Sequence, residues 1–202
     1  MIKIKNNDID EIYIEAIKIL IKNKNKSVND NILYEDSAMF EIDSYISKNR
    51  IIISNDGITS NFNYNTFYSA GNKMALLECD YWYDCFFGDD KLNNIIKHLK
   101  LFPDSKRAII SHWKDSYLDL SKPSACQVYV YFRRIDDSIE MHCSMRAEDA
   151  FNCNLLDLEI MNEIHIFLSN SLNLKKGKFI HFVNSFHLYL KDKEESFNIY
   201  NE

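Results

Sequence analysis

A cysteine, an arginine and a histidine–tyrosine pair stand out in this chain because their side chains could take part in covalent chemistry together. Cys126 follows Pro-Ser-Ala, Arg146 opens the run Arg-Ala-Glu-Asp, and His187 is separated from Tyr189 by one residue. A cysteine attacks carbon as its thiolate, and a neighbouring cation favours that form at neutral pH. We therefore interpret Cys126 as a candidate nucleophile and Arg146 as the cation that serves it.

The elements around the cysteine are predicted to form a hairpin. Gln127 to Arg134 alternates apolar and polar residues, as in a half-buried strand. Asp136-Asp137 predicts a turn into a second strand, Ile139 to Arg146. The pairing of these two strands would bring Arg146 next to the strand that begins after Cys126.

Hydrophobic periodicity predicts the remaining elements, which mix helices and strands without a regular βαβ repeat. The expected helices are Ile9 to Ile21 with Asp8 as its N-cap, Met74 to Phe87, Lys91 to Leu101, and Leu155 to Leu172. The expected strands lie within Ile32 to Ile53, at Ala108 to Ile110 and at Phe179 to Leu190, with a turn at Asp56-Gly57 and a break at Gly177. The pattern indicates an α+β fold in one domain, residues 1–202.

Composition excludes several classes of function. A net charge of −6 disfavours a nucleic-acid polymer as partner of the whole molecule. Five cysteines without a signal peptide indicate a reduced, cytoplasmic protein, and the four other than Cys126 are expected to be inert buried thiols. No stretch is long enough for a membrane span, and no C-x-x-C pair suggests a metal site.

From Asp104 to Asp192 these motifs follow one another in the order of the thymidylate synthase superfamily, which the chain resembles. The resemblance implies a mixed sheet packed by helices, here reduced in size, that dimerises through the sheet. It implies that the Cys126 thiolate adds to C6 of a pyrimidine nucleotide and that 5,10-methylenetetrahydrofolate supplies a one-carbon unit to C5. Tetrahydrofolate, a nucleotide and a second copy of the chain are thus the expected partners.

The resemblance also implies roles for individual residues, which are carried over by position. Glu78 lies near the position of the catalytic glutamate of the family. Among the expected substrate-binding residues, Lys106 and Arg107 reach the phosphate site of the neighbouring subunit, and Arg146 lies at the phosphate. His187 and Tyr189 are expected to bind the sugar hydroxyl. The set also includes Asp149 and Gln127, which follows the nucleophile. Asp149 is also expected to contact the folate pterin.

Asp157 refines the resemblance, because it stands where uracil-specific members have an asparagine. A carboxylate can accept from the N4 amine of cytosine and from a protonated N3, whereas it would face the O4 oxygen of uracil with lone pairs. Asp157 is therefore expected to select and activate cytosine, as in the cytidylate 5-hydroxymethyltransferases of the superfamily. The alternative is that Asp157 caps or solvates the helix that follows, because Asp is favoured at helix N-termini.

The chain also departs from the family pattern. The loop from Asn23 to Asn31 has two lysines and no arginine, and Ala147 replaces a phosphate-binding serine. The segment after Trp82 is short and the chain stops at Glu202, so the folate is expected to be less enclosed and water to reach the intermediate. The alternatives are a thymidylate synthase acting on dUMP and a catalytically idle nucleotide-binding relative.

The expected product is a 5-hydroxymethyl nucleotide, but the sequence does not separate CMP from dCMP as the substrate. Cytidylate hydroxymethylases of the superfamily serve phage DNA modification and the biosynthesis of nucleoside antibiotics. The reduced size of the chain favours a role in the biosynthesis of nucleoside antibiotics.

Overall fold

Eight strands and four longer helices make up the described part of the chain. The computed structural model describes residues 1–27, 29–45, 48, 51–54, 57–60, 82–119, 121 and 124–201, with the backbone alone at 51, 52, 54 and 57–60. The strands are β1 Ile2–Lys5, β2 Ile32–Ile42, β3 Ile51–Ser54, β4 Gly57–Ser60, β5 Ile109–Ser111, β6 Gln127–Ile135, β7 Ser138–Asp149 and β8 Lys175–Tyr189. The helices are α1 Ile9–Asn23, α2 Lys91–Leu101, α3 Asn154–Leu172 and α4 Lys193–Asn201, and residues 82–86 are also helical.

Six of these strands form one mixed sheet in the order β1-β2-β8-β7-β6-β5, while β3 and β4 pair separately as an antiparallel hairpin. The pairs β1–β2 and β7–β8 are parallel, and the other neighbours are antiparallel. The parallel pairing of β7 with β8 brings the carboxyl ends of both strands to the same edge of the sheet, next to the start of β6.

The helices cover one face of this sheet, and α3 is the most deeply buried of them. It contacts β7 and β8 as well as α1 and α2, and buried residues occur around most of its circumference. An α-helix that is covered on nearly all sides lies in the interior of a domain. The apolar faces of α1, α3 and the sheet share one hydrophobic core, so the first turn of α3 is firmly held.

The predicted α+β class is confirmed, and most element predictions agree with the structure. Asp8 is the N-cap of α1, and its side chain accepts a hydrogen bond from the backbone of Asp10. The expected helix over Lys91 to Leu101 and the expected hairpin of β6 and β7 are both present. Residues 82–86 agree with the end of the expected helix Met74 to Phe87, whose earlier part lies outside the described residues, as does Asp56 of the expected turn.

The prediction that Gly177 separates the last helix from the last strand is wrong. Gly177 lies inside β8, which already begins at Lys175. A Cβ atom at this position would lie 2.8 Å from the backbone oxygen of Ile139 on the neighbouring strand β7. The glycine therefore permits a close approach of two strand backbones rather than marking a chain break.

Candidate active site

A cavity of about 530 Å³ opens where β6 begins, where β7 and β8 end, and where α3 begins. The start of β6 and the ends of β7 and β8 are far apart in the sequence but meet at one edge of the sheet because β7 lies between β6 and β8, and α3 begins shortly after β7 ends. The cavity collects most of the residues expected from the sequence, namely Cys126, Arg146, Asp149, Asp157, His187 and Tyr189.

Cys126 is exposed to this cavity at the residue that precedes β6. Its carbonyl oxygen accepts a hydrogen bond of 2.8 Å from the backbone N–H of Arg146. Just beyond it, the register of β6 against β7 shifts between Gln127 and Tyr129. Such a bulge redirects the neighbouring side chains, and here it separates an exposed Cys126 from a buried Gln127.

The guanidinium group of Arg146 is fixed beside the segment that carries the cysteine. Its Nε donates to the backbone oxygen of Ala125 at 3.0 Å, and one terminal nitrogen donates to Ser124 Oγ at 2.7 Å. The ring of Trp113 lies 6.0 Å from the guanidinium carbon. Arg146 thus places a fixed guanidinium group in the wall of this cavity, where it can attract an anionic ligand.

Asp157 lies in the first turn of α3 and is only 6% exposed. Its Oδ1 accepts a hydrogen bond of 3.0 Å from Nε1 of Trp82, which also lines the cavity. The N-cap position of the helix belongs to Cys153, so Asp157 is not the N-cap but an acidic residue of the first turn, where a negative charge suits the helix N-terminus. The carboxylate is thus held at the cavity wall by an indole N–H.

His187 and Tyr189 lie at the carboxyl end of β8. His187 Nδ1 lies 3.1 Å from the carbonyl oxygen of Ser185, so Nδ1 is the donor and Nε2 is the acceptor of the neutral ring. The hydroxyl of Ser185 donates to Glu35 at 2.5 Å. Burial, followed by the nearby Asp149 carboxylate, raises the pKa of Tyr189. Tyr189 therefore keeps its proton at neutral pH and can donate a hydrogen bond to a ligand.

Asp149 ends β7 and shapes the turn that leads to α3. Its Oδ1 accepts hydrogen bonds of 3.0 Å from the backbone N–H groups of Phe151 and Asn152, and its Oδ2 accepts one of 2.8 Å from the Asn152 side chain. The side chain also lines the cavity. An ionised carboxylate has lone pairs for further donors, so a contact with a pterin or a nucleotide stays a prediction.

Gln127, in contrast, does not reach the cavity. Its side chain is fully buried, and its amide nitrogen donates to Cys143 Sγ at 3.0 Å and to Met161 Sδ at 3.2 Å. The register shift that follows Gln127 in β6 turns its side chain into the core. Because successive side chains point to opposite faces, the preceding Cys126 is exposed. The Gln127 side chain therefore lies in the interior and does not reach the cavity where the sequence analysis expected a substrate contact.

Lys106 and Arg107 are exposed in the connection between α2 and β5. They line a separate depression with Phe102 and Pro103, not the cavity that contains Cys126. Their expected contact with the phosphate site of a neighbouring subunit stays a prediction. Glu78 lies outside the described residues.

Comparison with known proteins identifies the family. The family model for thymidylate synthase matches residues 5–198. The chain belongs to the thymidylate synthase family. Thymidylate synthases of Mycoplasma pneumoniae and Mycoplasma genitalium are 26% and 27% identical to it, over 56% and 52% of this chain and 39% and 36% of theirs. The chain therefore matches less than half the length of these curated relatives.

A solved structure shows the same fold. The crystal structure of thymidylate synthase from T4 phage aligns with a TM-score of 0.51 and 20% identity. The alignment covers 59% of this chain and 42% of the phage protein. The thymidylate-synthase-like arrangement of sheet and helices expected from the sequence is thus confirmed.

The cavity of this family member has further wall residues that the sequence analysis did not assign. Cys153 was expected to be inert and buried but is half-buried at the cavity wall, whereas Cys85 and Cys143 are buried as expected. Cys79, for which the same was expected, lies outside the described residues. The other unassigned wall residues are Trp82, Ser124, Ala147, Glu148 and Lys191. Glu148 and Lys191 could have been noticed, because they are charged residues within or next to the recognised motifs.

Within the described part of the chain, no cluster of His, Cys, Asp and Glu could hold a metal ion. None of the described helices is long and apolar enough to cross a membrane.

Proposed function

We propose that this cavity binds a cytidine monophosphate nucleotide, CMP or dCMP, and that the protein transfers a one-carbon unit to C5 of its base, giving the 5-hydroxymethyl nucleotide. The observation that carries the proposal is the presence of Asp157, Cys126 and Arg146 in the wall of one cavity. In this proposal the Asp157 carboxylate recognises the nucleobase, and the Cys126 thiol is the nucleophile. The Arg146 guanidinium is the cation that serves both the thiolate and the phosphate.

Cys126 performs the covalent step. Its thiolate adds to C6 of the pyrimidine, and the electrons of the C5=C6 bond make C5 a carbon nucleophile. Once the one-carbon unit is attached to C5 and the C5 proton has been removed, the bond from that carbon to the folate nitrogen would break, and tetrahydrofolate would leave with the electron pair. Water then adds to the exocyclic carbon to give the hydroxymethyl group, and expulsion of the Cys126 thiolate from C6 restores the C5=C6 double bond.

Asp157 selects the base. Its carboxylate accepts from the N4 amine of cytosine and from N3 once this nitrogen is protonated. The positive charge on N3 draws electrons from C6, which favours attack by the thiolate. Uracil would place its O4 acceptor against the Asp157 carboxylate, which is also an acceptor. Because neither buried group would then have a hydrogen-bond partner, uracil should bind much more weakly.

The remaining wall residues suit the sugar and the phosphate. Tyr189 donates and His187 Nε2 accepts, which matches the two roles of a sugar hydroxyl. Arg146 and Lys191 are the basic residues of the cavity wall that could contact the phosphate. They partly replace the phosphate contacts that the sequence lacks at Ala147.

Two wall residues fit 5,10-methylenetetrahydrofolate as the one-carbon donor. Trp82 offers an aromatic side chain to a flat ring, and Asp149 offers a carboxylate to the N–H groups of a pterin. When bound, this cosubstrate supplies carbon at the oxidation level of formaldehyde. Trp82 and Asp149 would orient it next to C5 of the nucleotide.

The test is product analysis with four nucleotides. Each of four nucleotides is incubated separately with methylenetetrahydrofolate and the protein, and product masses are measured by mass spectrometry; the nucleotides are CMP, dCMP, UMP and dUMP. We expect a cytidine nucleotide to gain the mass of one CH2O unit, because a hydroxymethyl group replaces the hydrogen at C5. A substrate deuterated at C5 should lose its deuterium. A methyl product on dUMP alone would contradict the proposal.

The second candidate is a thymidylate synthase acting on dUMP, favoured by the name of both Mycoplasma relatives. The same assay separates the two, because the methyl and hydroxymethyl products differ in mass. Nucleotide binding without any product would instead indicate a catalytically idle member of the family.

We further propose that the protein acts as a homodimer formed through the open face of the sheet. Ile109 of β5 pairs with Tyr131 of β6, and Ile109 and Tyr129 are 49% and 42% exposed. Exposed apolar residues on neighbouring strands are typical of a subunit interface. A dimer would also bring Lys106 and Arg107 of one subunit toward a second cavity. A fully active monomer in analytical ultracentrifugation under assay conditions would contradict this.

A further inference from the structure

A buried ion pair lies directly behind the cavity, and the reaction proposed above does not use it. The two residues are Glu148 on β7 and His181 on β8, whose side chains are both 0% exposed. His181 Nε2 lies 3.2 Å and 3.3 Å from the two carboxylate oxygens of Glu148. Burying two charges costs several kcal/mol per ion. An ion pair buried next to the cavity at this cost suggests a functional role.

The charged state of the pair follows from its surroundings. Burial by itself would lower the pKa of His181, but the Glu148 carboxylate and the neighbouring Cys143 raise it well above 6.5. His181 lies between the rings of Phe40 and Phe179, which fix the imidazolium in place. Glu148 is thus held by a cation that cannot move far.

Glu148 in turn holds the beginning of α3. Its Oε2 accepts a hydrogen bond of 3.1 Å from the side-chain nitrogen of Asn154, the first residue of that helix. Asn154 is fully buried, and Asp157 lies in the same helical turn. The carboxylate therefore links the sheet to the helical turn that carries the base-reading residue.

On its other side, the pair is connected to the strand of the nucleophile. His181 and Cys143 are neighbours in the register of β8 and β7. The Cys143 sulfur accepts the hydrogen bond of 3.0 Å from Gln127, which directly follows Cys126. A buried polar chain thus runs beneath the cavity from the residue after the nucleophile to the helix of the base reader.

We propose that Glu148, anchored by His181, is a positioning residue that holds the first turn of α3 so that Asp157 faces the base. This inference rests on the proposed function, because it assigns base reading to Asp157. Glu148 belongs to the cavity wall, but its side chain is 0% exposed, so this scheme gives it no contact with the substrate. A displacement of α3 would weaken discrimination between bases, because such contacts depend on distances of a few tenths of an ångström.

The test compares Asn154→Ala and Glu148→Gln with wild type. Asn154→Ala removes the link to α3 and leaves the ion pair intact, while Glu148→Gln removes the charge that anchors the link. The readout is the ratio of the dissociation constants of CMP and UMP, measured through tryptophan fluorescence, since Trp82 lines the cavity. We expect the ratio to move toward one by about tenfold in both variants.

Glu140→Gln is the matched control. Glu140 also lies on β7 and forms an ion pair, with Arg133 at 2.6 Å, but it is not in the cavity wall. This variant should keep the wild-type ratio. If Glu148→Gln does not fold, Asn154→Ala still decides the matter. Unchanged base ratios in folded variants, together with a lower melting temperature, would show that the pair only stabilises the core and would overturn the inference.

The outcome for wild type distinguishes the two proposals. A wild type that prefers UMP would contradict the proposed function, but a loss of that preference in Asn154→Ala would still support the positioning role. A wild type without any preference would overturn both.

Discussion

Arg146 contributes to the reactive site through its backbone and through its side chain. Its backbone N–H fixes the carbonyl oxygen of Cys126, and its guanidinium is bound to Ala125 and Ser124 on the same segment. A side chain with this many fixed partners loses little entropy when it binds an anion. The thiol and its cation are therefore arranged before any ligand arrives.

Cys126→Ser should abolish product formation and retain nucleotide binding, because only the covalent addition needs a thiolate. Turnover is measured by mass spectrometry and binding by tryptophan fluorescence. Cys85→Ser is the matched control, since this cysteine is buried and is not in the cavity wall, and the variant should keep its turnover. If Cys126→Ser retained more than about a tenth of wild-type turnover, the nucleophile would be wrongly assigned.

At the scale of the elements, the close contact between β7 and β8 depends on one glycine. Gly177→Ala would place a Cβ atom 2.8 Å from the Ile139 oxygen, and backbone atoms in a sheet cannot easily move away. We expect the free energy of unfolding to fall by about 1–3 kcal/mol, measured by urea denaturation.

Gly88→Ala provides the comparison for this variant. The nearest atom to its added Cβ would be 3.9 Å away, which is an ordinary contact. Its stability should stay within about 0.5 kcal/mol of wild type. Equal stability of the two alanine variants would contradict the account of the β7–β8 contact.

The elements that the sequence predicts well are those with a strong local pattern. Lys91–Leu101 has a clean helical period, and β6 alternates along its length, so both were predictable. The role of Gly177 was not, because the reason for a glycine there lies in Ile139 on another strand.

The same distinction applies to the site. Motif order alone predicts Cys126, Arg146 and Asp157 as a group, and the structure brings them into one cavity. The inward turn of Gln127 depends on the register shift in β6, and the pairing of Glu148 with His181 depends on the neighbouring strand β8. Neither can be seen in the local sequence.

At the scale of the whole molecule, buried histidines make stability depend on pH. Burial lowers the pKa of His112 to about 4 and that of His165 to about 3. As the pH falls from about 6.5 toward these values, the unfolded chain binds protons that the folded protein does not bind. The free energy of unfolding should therefore decrease by about 1.4 kcal/mol per pH unit for each histidine.

His112→Gln tests this, because the amide can still donate to the Cys85 oxygen that His112 contacts at 2.9 Å. The variant should lose the part of the slope that His112 contributes between pH 6.5 and about 4, as measured by denaturant titrations of wild type and variant at several pH values. A variant His112→Gln with the full wild-type slope would contradict the assignment.

Asp157→Asn tests whether the Asp157 carboxylate recognises cytosine. The amide oxygen can keep the hydrogen bond from Trp82, so the helix should stay in place while one acceptor toward the base becomes a donor. The measurement is kcat/KM for a cytidine and a uridine nucleotide, with wild type and variant side by side. We expect kcat/KM for the uridine nucleotide, divided by kcat/KM for the cytidine nucleotide, to rise by at least about a hundredfold in the variant. An unchanged ratio with cytosine activity retained would contradict it.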